Sequence, residues 1–340
     1  MYSFKNDYSE GCHPSILDKL VETNLVQDLG YAEDRYTKLA KEILREEMKS
    51  PAAEIYFVSG GTQSNLLVLS SLLLPHQAVI SAHTGHIYAN ETGAIEATGH
   101  KVIPVQTTDG KLTASAVEQV VRQHGLRPHV VQPKVVYISN STEIGTIYTK
   151  QELSDLSQCC KKNDLYLFVD GARLGHALTA HNNDLTLADL AALVDVFYIG
   201  GTKNGALLGE AIVFSQETLA NYFDYNLKQR GALLAKGRIV GIQFLCLFTD
   251  HLYFDLARHA NDMAYRIQQA LQEAGYAFSG ESTTNQLFPI LPKSLIEKLQ
   301  KQFDFYVWAE VDEYQSIIRL ITSWATDEAA VDQFIHAIKE

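Results

Sequence analysis

The chain has 340 residues, 46% of them hydrophobic and 20% charged, with a formal net charge of −12. That length admits two domains or one large domain with an appendage, and so much apolar side chain argues against disorder. The acidic balance excludes the broad basic footprint of a nucleic-acid or anionic-membrane binder, although backbone dipoles can still capture a small anion.

Residues 1–15 are too irregular to assign and are expected to lie over another surface. Met1 to Asp7 contain no apolar core of a secretory signal, and the apolar stretch around Leu66–Leu74 is shorter than a membrane span. Cys12, Cys159, Cys160 and Cys246 show no C-x-x-C spacing, so all four read as reduced thiols of a cytoplasmic protein. From residue 54 to 214 short β-branched or aromatic runs alternate with amphipathic stretches. The predicted strands are EIYFVS (54–59), AVISA (78–82), KVIPV (101–105), KVVYIS (134–139), LYLFVD (165–170), DVFYIG (195–200) and EAIVF (210–214). TKQELSDLSQCCKKN (149–163) exemplifies the helices between them. Such interleaving predicts an α/β fold with a mostly parallel sheet sandwiched by helices, whose ligands bind beyond the carboxyl ends of the strands. One long helix is expected over 238–275, then short strands near 285–291, 305–309 and 317–322, then a final helix from about Asp327. The expected organisation is therefore an N-terminal segment (1–15), a large α/β domain (16–237), and a bridging helix with a smaller α+β domain (238–340).

Chemistry concentrates at three strand ends. In LYLFVDGARLG (165–175) and VFYIGGTKNGALLGE (196–210) an apolar strand stops at small residues plus one ionisable group, Asp170 in the first and Lys203 in the second. A buried aspartate is costly unless it meets a cation or donor, and a lysine behind an apolar strand has a depressed pKa that favours imine chemistry. Alone, Asp170 could cap a helix and Lys203 could be a solvated loop residue. Together they match a pyridoxal cofactor, which needs a lysine for its imine and a carboxylate for its ring nitrogen. In VSGGTQSN (58–65) a strand runs through Ser59-Gly60-Gly61-Thr62 into a helix, a plausible phosphate cradle that is neither a dinucleotide fingerprint nor a P-loop. SAHTGHIYANETGA (81–94) carries His83 and His86; their spacing lacks a third metal ligand, and an imidazole there can stack on a flat ring or transfer protons.

The segments SGGTQSN (59–65), HIYANETGA (86–94), VDGARL (169–174), GGTKNGALLGE (200–210) and IIRLITSWAT (317–326) together resemble the threonine aldolase family of the β-eliminating lyase group. The resemblance implies the fold-type-I architecture, pyridoxal 5'-phosphate as cofactor, and cleavage of a β-hydroxy-α-amino acid to glycine and an aldehyde. It implies that Lys203 carries the cofactor, Asp170 partners the ring nitrogen, His86 stacks on the ring, and Gly61 and Thr62 hold the phosphate. Arg173 would lie beside the cofactor and the substrate carboxylate, Arg319 would grip that carboxylate, and Ser9 would add a hydroxyl near the entrance. The chain departs from the bacterial pattern at ISNSTEIGTIYT (138–149), where Glu143 stands in place of a histidine; either Glu143 or His86 is a candidate base. A phosphate contact from a neighbouring subunit would come from KQRGALLAKGR (228–238), with Lys236 favoured over Arg230 and Arg238. A dimer-based homo-oligomer, often a tetramer, is implied as well. A β-elimination lyase, a phenylserine-type aldolase and a non-catalytic metabolite-binding descendant remain as alternatives.

Overall fold

A computed structural model describes residues 1–339. The strands, in chain order, are β1 (Tyr2–Ser3), β2 (Glu54–Val58), β3 (Gln77–Ala82), β4 (Lys101–Val105), β5 (Gln132–Ser139), β6 (Tyr166–Asp170), β7 (Val196–Gly200) and β8 (Glu210–Phe214). They are followed by β9 (Gln286–Leu287), β10 (Ile290–Pro292), β11 (Phe303–Asp304), β12 (Tyr306–Glu310) and β13 (Gln315–Ile321).

All seven strands expected between residues 54 and 214 form one sheet, ordered β2-β8-β7-β6-β5-β3-β4. Five of them run parallel, whereas β8 runs antiparallel to both β2 and β7. Both faces are covered, so each strand sends alternate side chains into two different cores. Ile80, Ile138, Val169, Ile199 and Val213 enter one. Val79, Tyr137, Phe168, Tyr198 and Ile212 enter the other. The helix predicted around 149–163 spans Lys150–Lys162 and opens with a capping box, in which Thr149 and Glu152 satisfy each other's backbone amides.

The single helix expected over 238–275 is instead two helices, Arg238–Phe248 and Leu252–Glu273. The break is a short turn in which Asp250 and His251 take left-handed backbone angles, φ 53° and 60°. Such angles cannot continue a right-handed helix. The first helix packs Val240, Phe244 and Leu247 on the large sheet's core. The second runs from that core at Tyr253 and Leu256 to a separate cluster at Met263, Ile267 and Leu271, and so connects the two.

That separate cluster lies under β9, β10, β12 and β13, which form a small antiparallel sheet. A final helix, Glu328–Lys339, closes it with Val331 and Phe334. The N-terminal residues lie on this part of the chain: β1 pairs in parallel with β11, and the Ile321 amide donates to the Phe4 carbonyl at 2.8 Å. Phe4 is fully buried, with ring centroids 5.4 Å from Phe334 and 5.9 Å from Phe303. Replacing it by alanine removes a buried ring and leaves a cavity. A loss of about 3–5 kcal/mol in denaturant unfolding is expected for Phe4→Ala.

Candidate active site

β-Strand parity builds the centre of the site. In the register of β5 and β6, Tyr137 pairs with Phe168 and Ser139 with Asp170, which places Tyr137, Phe168 and Asp170 on one face. Tyr198 on β7 enters the same core. The Asp170 carboxylate, 4% exposed, is therefore flanked by phenols from both neighbouring strands. The Tyr137 hydroxyl donates to its Oδ2, the Tyr198 hydroxyl donates to its Oδ1 at 2.5 Å, and Asn65 Nδ2 donates to Oδ2 at 3.2 Å. Burial pushes the Asp170 carboxyl up. The charge of His86 and the two tyrosine hydroxyls outweigh that push and hold it below its ordinary range.

Lys203 reaches the same region because two strand ends approach closely. A Cβ on Gly171 would run into the Tyr198 carbonyl, and one on Gly200 into the Ala172 carbonyl. Only glycine permits that approach. Among the described residues the Lys203 amine makes no hydrogen bond or ion pair. Burial and the Arg173 charge pull its pKa down, against the opposing fields of Asp7, Asp170 and Glu210.

A relay of buried groups links Asp170 to His86. Asn65 Nδ2 also donates to Glu91 Oε1 at 2.7 Å, and that oxygen lies 2.8 Å from His86 Nδ1. Burial lowers the proton affinity of His86, but the hydrogen bond to Glu91 and the Asp170 charge raise it above its ordinary value. Glu143 sits beside this group: its Oε1 accepts from Ser139 Oγ at 2.7 Å and from the His86 amide at 3.0 Å. Burial raises the Glu143 carboxyl, and the Ser139 hydrogen bond only partly offsets it.

Arg173 and Arg319 approach from the other side. Arg173 donates through Nε and Nη2 to Asp7, at 2.7 and 3.0 Å. Burial of Asp7 is outweighed by the charges of Arg173 and Lys203, which hold its carboxyl well below the ordinary range. Arg319 on β13 is half-buried; burial and the Arg173 charge lower its pKa to about 10. Gly61 and Thr62 open the helix Gly61–Leu72, whose first residue is preceded by Gly60 without a side-chain cap. A Cβ on Gly61 would lie 3.0 Å from the Tyr198 hydroxyl, so that turn packs beside the Asp170 group. Ser9 is exposed and donates to Asn6 Oδ1 at 2.9 Å. Lys236 is exposed, whereas Arg238 spends its guanidinium on the Val26 and Asn24 carbonyls. His83 stands apart from the relay, its Nδ1 accepting from the Thr107 amide.

Sequence reasoning missed Asp7, Asn65, Glu91, Tyr137, Tyr198 and Glu210. HIYANETGA carried the one available signal, an acidic residue five positions after His86. The others become visible only with strand order and the path of the N-terminal segment.

A doubly covered sheet that delivers to one rim a lysine amine unpartnered among the described residues and an ionised, buried aspartate defines an enzyme of the fold-type-I class. The chain belongs to the Beta-eliminating lyase family, which matches residues 8–293. Low specificity L-threonine aldolase of Pseudomonas aeruginosa is 30% identical over 341 residues, 99% of this chain and 96% of the relative. A solved structure of Leishmania major threonine aldolase superposes with a TM-score of 0.98 at 47% identity, covering 100% of this chain and 99% of that one. Aspartate aminotransferase of Thermus thermophilus shares the fold alone, with a TM-score of 0.72 at 14% identity over 99% of this chain and 90% of the other.

Glu210 gives a test by pH. It is 4% exposed and accepts from the Gly201 amide at 3.0 Å; burial, only partly offset by the Thr202 hydroxyl, pushes its carboxyl from 4.5 to about 8. Folding thus raises its proton affinity. The resulting stability is fully present below about 4.5 and is lost as pH rises through about 8. In the cofactor-free protein, the Tm of Glu210→Gln relative to the parent should climb across that window. A difference that stays flat would show that Glu210 is not held protonated.

Proposed function

We propose that this chain is a pyridoxal-phosphate-dependent aldolase that cleaves an L-β-hydroxy-α-amino acid of the threonine or allo-threonine type to glycine and an aldehyde. The observation that carries this reading is the pairing of Lys203, whose buried amine has no partner among the described residues, with Asp170, whose carboxylate is kept ionised at the same rim. The residues fit the cofactor. The turn at Gly60-Gly61-Thr62 opens a helix whose first amides have no intrahelical acceptor, which suits a phosphate. Lys203 would take the aldehyde carbon, Asp170 the ring nitrogen, and His86 a face of the ring. When bound, the cofactor supplies an electron sink for the pair left at Cα.

The side chains of the chain determine which bond breaks. Arg319 and Arg173 fix the substrate carboxylate, because guanidinium forks set orientation as well as position. Arg319 Nε is buried without a partner among the described residues, an unmet donor that a carboxylate would satisfy. Glu143 is the base we assign to the substrate hydroxyl, its Oε1 anchored by Ser139 and the His86 amide. Burial makes that carboxylate a stronger proton acceptor than a solvated one. As Glu143 takes the hydroxyl proton, the Cα–Cβ bond breaks, Cβ becomes the aldehyde carbonyl carbon, and its bonding pair remains with Cα. A proton delivered to Cα then completes glycine.

We further propose a dimer-based homo-oligomer acting in the cytoplasm. Leu17 and Val21 on the helix Pro14–Thr23, and Leu25 and Leu29 beyond it, are 48%, 78%, 92% and 65% accessible, apolar surface that a second copy would cover. Lys236, exposed on the Ala235–Gly237 turn, is available to a neighbour's phosphate. The four cysteines are unpaired, in keeping with a reducing compartment.

Lys203→Ala is expected to lose both the cofactor's imine absorbance and threonine cleavage; a mutant that keeps the wild-type band removes the assignment. Glu143→Gln should still change absorbance on adding glycine while cleaving threonine about 100-fold more slowly. Full cleavage rate in that variant would exclude Glu143 as the base.

A further inference from the structure

The two arginines of the site differ in how their charge is balanced. Arg173 is met by a carboxylate: its Nε and Nη2 lie on Asp7, which is held in turn by Asn285 Nδ2 at 2.9 Å. Arg319 is met by a neutral group. Its Nη2 donates to Gln286 Oε1 at 2.8 Å, and its guanidinium carbon lies 5.1 Å from the centroid of the Trp308 ring. Neighbouring residues on one short stretch, Asn285 and Gln286, therefore govern both arginines, the first through an anion and the second directly.

Gln286 is fully buried, and its other end is also engaged: Nε2 donates to the Thr142 carbonyl at 3.1 Å, one residue before Glu143. Reversing the amide would set donor against donor at Arg319 and acceptor against acceptor at Thr142, so its orientation is fixed by its surroundings. The same stretch grips the Glu143 loop again, with the hydroxyl of Thr284 and the amide of Thr283 on the Gly145 carbonyl, both at 3.2 Å. A neutral acceptor can aim a guanidinium without cancelling its charge, whereas a carboxylate in that place would occupy the charge before any ligand arrived.

We propose that Gln286 is a positioning residue that aims Arg319 at the substrate carboxylate while leaving its charge uncompensated, and that Arg319 rather than Arg173 is therefore the charge partner that selects an α-carboxylate. The inference rests on the reading, given above, that Arg319 binds that carboxylate. It assigns the two guanidiniums unequal duties: Arg173, already paired with Asp7, supplies a placed N–H, and Arg319 supplies the net attraction.

The test measures KM and kcat for L-threonine, and the glycine dissociation constant from the absorbance change of the holoenzyme. Gln286→Glu introduces an internal anion that competes with the substrate. KM and the glycine constant are expected to rise together by about 30-fold, equivalent to about 2 kcal/mol, with kcat changed by less than about 3-fold. Gln286→Leu removes the aim without adding charge and should raise both constants by about 5-fold, roughly 1 kcal/mol. Arg319→Gln should raise them more than Arg173→Gln does. If Arg319→Gln weakens glycine binding while both Gln286 variants stay within about 2-fold of the parent, the inference fails and the reading of Arg319 stands. If Arg319→Gln leaves both constants unchanged, that reading falls and takes the inference with it. Should Gln286→Glu not fold, Gln286→Leu decides: a loss confined to kcat or to thermal stability means a merely structural role.

Discussion

The site depends on keeping one carboxylate ionised inside the protein. Asp170 ends a strand buried on both faces, where a bare charge would cost several kcal/mol and the group would protonate instead. Two phenols, an amide and the nearby imidazole of His86 prevent that. All four are placed by the sheet or by helices that begin at its edge. The tyrosines of β5 and β7 therefore have a purpose that packing alone does not explain: Tyr137 and Tyr198 fill the core with their rings and complete the carboxylate's shell with their hydroxyls.

A second constraint is electrostatic crowding. Lys203, Arg173 and Arg319 share one region, and the charge of Arg173 lowers the proton affinity of both the others. Asp7 is the anion that makes this tolerable, and it comes from the far end of the chain. It also bears on His176, whose ring is buried without a partner and pulled down to about 4, chiefly by burial. Neutral His176 adds no further positive charge beside the lysine and arginines. The amine at Lys203 is thus poised by what surrounds it, with Asp7 and Asp170 restraining a depression that burial and Arg173 would otherwise drive further.

How much of this was legible in the amino-acid sequence follows from range. The seven strands of the large sheet were readable because β-branched runs bounded by glycine and polar residues are local signals. Asp170 and Lys203 were readable because an ionisable residue directly after an apolar strand is also local. The supporting shell was not: Tyr137 and Tyr198 meet Asp170 only once β5, β6 and β7 are known to be neighbours, Asn65 and Glu91 join it from outside those strands, and strand order leaves no local trace. The single helix expected over 238–275 failed for a related reason. Periodicity runs through Thr249–His251 without a proline or glycine to mark a break, yet Asp250 and His251 take left-handed angles there. Gln286 is likewise silent as a sequence, the last of a polar run from Ser282, until its two partners are seen.

The seating of β1 against β11 has a consequence for biosynthesis. Residue 2 pairs with residue 303, and Phe4 packs on Phe334, so the segment around them can be seated only after β11 and the helix Glu328–Lys339 have been made. Asp7 reaches Arg173 as part of that segment. The nascent large sheet can assemble earlier, but with its cations uncompensated. Electrostatic completion of the site therefore waits on the synthesis of β11, and no product ending before β11 can hold β1 in place.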